Sequence, residues 1–80
     1  MLTEEIKLKI EQALPGSEVK VINETSRHFG HNPTGEHIGV NVKYQGFKDK
    51  TIVEQHQVIY DILKEEMKLK IHALVIKTEE

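Results

Sequence analysis

The segment "HIGVNVKY", residues 37–44, carries the cleanest alternation in the chain. Ile38, Val40, Val42 and Tyr44 share one side; His37, Gly39, Asn41 and Lys43 share the other. Successive side chains of a strand point to opposite faces, so the pattern predicts a strand with one apolar and one polar face. An apolar strand face needs a covering layer, and two segments have the helical spacing to supply one. Residues 3–14 align Ile6, Ile10, Ala13 and Leu14 on one stripe, with Thr3 placed to cap, Glu4 and Glu5 at the positive end and Pro15-Gly16 as the stop. Residues 51–67 align Ile52, His56, Ile59, Tyr60, Leu63 and Met67. Thr51 and Glu54 have capping-box spacing there, and Lys64 and Lys68 suit the negative end.

Two further strands complete the reading. "EVKVINE" (18–24) runs through Val19 and Val21, and "IHALVIK" (71–77) is so apolar that burial on both faces is expected. The order is α-β-β-α-β. It predicts an α+β fold with a three-stranded sheet covered by helices on one face. Ile38, Val40, Val42 and Tyr44 are then expected to pack on Ile6, Ile10, Ile59 and Leu63. A helix between the second and third strands implies a right-handed crossover.

The bulk numbers narrow the function classes. With 80 residues, the chain predicts one domain over 1–80, built from 38% hydrophobic and 30% charged residues. A net charge of −2 argues against a general DNA binder. Zero cysteines exclude disulfides, thiolate zinc sites and a self-contained thiolate iron–sulfur cluster, and fit a reducing compartment. No apolar run reaches the ~18 residues that would span a bilayer. "MLTEEIKLKI" at the start is charged and amphipathic, unlike a signal peptide. A soluble cytoplasmic protein, monomeric when alone, is expected. No nucleophile–base–orienter set and no phosphate loop is visible, so an enzyme is not expected.

Chemistry concentrates in histidine. "SRHFGHNPTGEH" (26–37) holds His28, His31 and His37, with Gly30, Pro33 and Gly35 between them. Those glycines and the proline disfavour regular structure and predict a flexible arm. His72 stands where the last strand begins, and His56 lies on the apolar stripe of the long helix, where a structural role is expected.

Four stretches taken together resemble the BolA family. "NETSRH" (23–28) is close to a family "DES..H"; "GEHIGVNV" (35–42) matches "sESHF.V.VVS"; "HQVIYDILKEEM" (56–67) matches "HR.VY..L.EEL". The most specific, "IHALVIKT" (71–78), matches "(I/V)HAL.(I/L).T". Departures are Asn23 for the acidic residue, "GEHI" for "ESHF", and "FKDK" (47–50) for a glycine-containing turn. With no loop cysteine, the chain is similar to the histidine-type branch. The resemblance implies a fold like the class II KH domain. It also implies partnership with a monothiol glutaredoxin of the CGFS type, sharing a bridged 2Fe-2S cluster with it and with glutathione. The role implied is iron–sulfur trafficking or iron and redox sensing, and the isolated chain would hold no cluster tightly. By that resemblance His72 is one metal ligand, and either His37 or His28 is the other; His31 has no counterpart. Histidine ligation of such clusters raises the reduction potential and makes the site sensitive to imidazole protonation. The family has also been described as regulating transcription, including in stress responses. DNA binding is therefore the alternative function, through Lys64, Lys68 and Lys70, although the chain has no GxxG loop of the kind RNA-binding KH domains use.

Overall fold

The computed structural model describes residues 2–24 and 36–80. The first helix, α1 (Leu2–Ala13), turns its stripe inward and buries Ile6 and Ile10 completely. Gly16, at φ +86°, supplies the left-handed residue that lets the chain reverse into β1 (Glu18–Asn23). β1 pairs antiparallel with β2 (Glu36–Lys43), setting Val19 opposite Val42 and Val21 opposite Val40. A 3₁₀ turn at Gln45–Phe47 leads to α2 (Ile52–Ile62) and α3 (Lys64–Leu69). The chain returns as β3 (Ile71–Glu79), parallel to β2. The strand order is β1-β2-β3, so the alternating segment forms the central strand.

One core lies between the sheet and the helices. Ile38, Val40 and Val42 pack against Ile6, Ile10, Ile59 and Leu63, and Tyr44 adds a partly buried ring. The α+β reading and its core hold. Thr51 and Glu54 make both halves of the capping box at the start of α2.

Three expectations are corrected. β3 is not buried on both faces: Val75 is 55% exposed, and His72 and Lys77 are exposed. It is an edge strand, and the helices cover only one side of the sheet, so its apolar run exceeds what the core absorbs. The long helix is not continuous over 51–67, because Leu63 takes φ −97°, ψ 18° and divides α2 from α3. Ile52 and Tyr60 lie outside the core, at 68% and 40% exposure. The inward row runs through Gln55 and Ile59 instead.

Gln55 is a buried polar node. Its side-chain amide donates to the carbonyls of Phe47 (3.1 Å) and Lys50 (2.9 Å), and its oxygen accepts from the Thr78 hydroxyl. It thus ties the turn before α2 to β3, while Phe47 fills the core beside it. Gln55→Leu leaves these groups without their partner, and a buried polar group so orphaned costs about 1–3 kcal/mol. Urea titration is expected to show a loss in that range. An unchanged midpoint would mean that water replaces the node.

Candidate metal centre

The two ends of β2 differ in character. Toward its start, the parity that sends Ile38 and Val40 into the core sends His37 onto the uncovered face of the sheet. On β3 the register breaks at the same level. Glu36 pairs with Ile71 and His37 with Ala73, which leaves His72 as the extra residue of a β-bulge. The bulge has a readable cause. Ile71 is buried and Leu74 packs on the core, yet they are three residues apart, which strict alternation cannot accommodate. Absorbing the odd residue turns His72 out to solvent. Its ring then stands beside that of His37, with centroids 5.2 Å apart and planes inclined at 52°.

The backbone around this pair is held from both sides. The Glu24 N–H donates to the His37 carbonyl (2.7 Å), and the Glu36 N–H donates to the Lys70 carbonyl (2.9 Å). A side-chain bridge reinforces them: the Asn23 amide donates to the Glu36 carboxylate. Asn23 is the position where the resembling motif carries an acid. An aspartate there would face Glu36 with like charge, whereas the amide donates to it.

The donor set fits a metal. Imidazole is a ligand for iron, zinc and copper. With metal–nitrogen bonds of about 2.0–2.1 Å, two imidazoles on one tetrahedral ion have ring centroids about 5 Å apart. The observed 5.2 Å lies close to that separation; the His72 ring is exposed, while the His37 Nε2 is shielded from solvent. Among the described residues no group of three or more His, Cys, Asp or Glu side chains comes together, so a metal held here would take at most these two imidazoles from the described part of the chain. His28 and His31 lie outside the described residues. His56 is half-buried on α2, on a different element from the pair.

The lysines singled out for nucleic acid are placed on or just after α3. Lys64 and Lys68 are exposed on it, but Lys70 pairs with Glu5 of α1 at 3.1 Å. Lys9 of α1 pairs with Glu66 at 2.9 Å, so two ion pairs stitch α1 to the segment just before β3. Burial pushes the Glu66 carboxyl up, but the Lys9 hydrogen bond, a backbone hydrogen bond and the nearby ammonium charges hold it below the usual 4.5. A carboxyl lowered by folding stabilises the fold above its unfolded value, and that contribution disappears as pH falls through the folded value. The thermal midpoint is therefore expected to drop on acidification below about pH 4.5, and Glu66→Gln is expected to flatten part of that drop. A variant whose acid profile overlays the native one would assign the acid sensitivity to other groups.

The family model described as BolA-like protein matches residues 10–80. The chain belongs to the BolA family. A Sinorhizobium relative, described as an uncharacterized protein in the cobS 5' region, is 37% identical over 81 residues, covering 95% of this chain and 87% of that protein. SufE-like protein 1 of Arabidopsis thaliana is 33% identical over 79 residues, covering 89% of this chain but 21% of that protein. This BolA-family chain thus spans about a fifth of that relative's length. The solved BolA domain of SufE1 from Arabidopsis thaliana superposes with a TM-score of 0.85 at 31% identity, over 98% of this chain and 90% of that one. The helix–strand–strand–helix–strand order read from the sequence is thus the architecture of the BolA family.

Proposed function

We propose that this BolA-family chain is a cytoplasmic adaptor that binds a monothiol CGFS glutaredoxin and co-ligates a bridged 2Fe-2S cluster, for iron–sulfur trafficking or for iron and redox sensing. The observation that carries the reading is the His37–His72 pair: two imidazoles at ligand spacing on adjacent strands, in a chain without cysteine. His72 is presented by the bulge of β3, and His37 by a backbone pinned to β1 and to the start of β3. Two neutral nitrogen donors leave the remaining ligands to be thiolates from outside, the glutaredoxin cysteine and glutathione. When bound, such a cluster supplies a one-electron centre whose potential rises with histidine ligation. We take the pair as the ligand set because paired strands present both imidazoles; His28 lies outside the described residues.

The DNA-regulator alternative has less support. Lys70 is engaged by Glu5, and Lys68 shares its short helix with Glu65 and Glu66. The adaptor reading is tested by anaerobic reconstitution of the chain with a CGFS glutaredoxin, glutathione, iron and sulfide, followed by size exclusion. A coloured heterodimer is expected, and no stable cluster on the chain alone. A mixture that yields only glutaredoxin homodimer would sink the reading, as would a chain that assembles a stable cluster unaided.

A further inference from the structure

On the side of His37 opposite His72, the row across the sheet is completed by an acid. The printed pairing of β1 with β2 ends at Asn23 opposite Ile38, and one step further the Glu24 N–H donates to the His37 carbonyl (2.7 Å). Glu24 thus stands directly across from His37, and His72 stands on the other side, on β3. Glu24 shares the parity of Lys20 and Ile22, so its side chain lies on the uncovered face with the His37 imidazole. The order across the three strands is carboxylate, imidazole, imidazole. Gly39, two residues along β2 from His37, decides where the carboxylate rests. The glycine leaves a hollow of about 140 Å³, lined in part by Ile22, Glu24 and Val75. The Glu24 carboxyl carbon and its Oε1 each lie 3.7 Å from where a Cβ on Gly39 would stand. The acid is therefore held against the sheet, half-buried, beside the histidine pair.

We infer that Glu24 is the charge-setting residue of the metal centre: its carboxylate, held beside His37, keeps down the reduction potential of a cluster bound there. The inference rests on the adaptor reading and deepens it. Histidine ligation puts neutral nitrogens where thiolates would carry negative charge, and so raises the potential. A carboxylate nearby opposes that rise, because reduction adds an electron to a centre that the negative charge already repels. Directly opposed residues of an antiparallel pair have Cβ atoms about 4.5–5.5 Å apart. A metal on the His37 ring then lies within about 10 Å of the carboxylate. At that distance and an effective dielectric constant near 20, one charge changes the reduction equilibrium about tenfold. The other charges nearby are placed differently. Glu36, next to His37 in sequence, has the opposite parity, and its carboxylate accepts from the Asn23 amide. Lys20 and Glu18 share the strand and the face of Glu24. At about 3.3 Å per residue they lie roughly 13 and 20 Å from it, beyond the screening length of about 8 Å in physiological salt.

The test compares reduction potentials. Cluster-loaded heterodimers of a CGFS glutaredoxin with the native chain, Glu24→Gln, Glu24→Asp and Glu18→Gln are titrated against redox dyes. Glu24→Gln keeps the backbone bond to His37 and the size of the side chain, so it removes the charge alone. Its potential is expected to rise by about tenfold in the reduction equilibrium, 59 mV for a one-electron couple. Glu24→Asp retains the charge and is expected to stay near the native value, and Glu18→Gln to match it. An unshifted Glu24→Gln, or a Glu24→Asp shifted as far as Glu24→Gln, would overturn the inference while leaving the histidine ligands standing. A shift of equal size in Glu18→Gln would assign the effect to net charge and overturn it as well. Should far-ultraviolet dichroism show Glu24→Gln unfolded, Glu24→Ala is read by the same criteria. A native chain that forms no cluster with the glutaredoxin would remove the adaptor reading and this inference with it.

Discussion

His72→Ala is expected to abolish the bridged cluster. In visible circular dichroism of the reconstituted mixture, the bands of the heterodimer should fall to those of the glutaredoxin alone. The side chain is exposed and sits on a bulge, so its loss removes a ligand without opening a cavity. Far-ultraviolet dichroism and the melting temperature are expected to stay near the native values, which separates ligand loss from misfolding. His37→Ala should remove most of the same signal. Any remainder would report substitution by His28, the second loop histidine that the family resemblance offers. His31→Ala should leave the spectrum unchanged. A spectrum that survives His72→Ala but disappears with His31→Ala would refute the ligand assignment.

The second large effect is on stability. Leu63 is fully buried at the break between α2 and α3, where it packs in the cluster formed by Ile6, Ile10, Ile59 and the sheet. Truncating a buried leucine removes its transfer free energy and leaves a cavity, at a cost of about 2–5 kcal/mol. An 80-residue domain holds a total margin of only about 5–15 kcal/mol. Leu63→Ala is therefore expected to shift the urea midpoint strongly. A loss well under about 1 kcal/mol would mean that the helices close over the vacancy or that the stripe does not face the sheet.

The core was legible because two periods agreed: period two in residues 37–44 and the helical stripes of Ile6, Ile10, Ile59 and Leu63. Those patterns report burial directly. Ile52 and Tyr60 misled because helical spacing shows which residues share a stripe, not how much of that stripe the fold covers, and both lie outside the core. Gln55 was missed because a polar residue carries no burial signal until its partners, Phe47, Lys50 and Thr78, are brought near by the fold. Within the site, His37 was placed on the polar face by parity alone. Its neighbour His72 was identified by resemblance, although the spacing of Ile71, Leu74 and Ile76 already breaks alternation and marks a bulge. The Asn23–Glu36 bridge joins residues 13 apart in sequence across two strands, and only the register reveals it.

Imidazole nitrogens of this chain are proposed to bind the shared cluster. Pulsed electron paramagnetic resonance of the reduced heterodimer tests it most directly, with the chain labelled with ¹⁵N in histidine only and the glutaredoxin unlabelled. The expected result is ¹⁵N hyperfine coupling of directly bound histidine, lost in His72→Ala and reduced in His37→Ala. A reduced cluster that shows no coupling to the labelled histidines would contradict it.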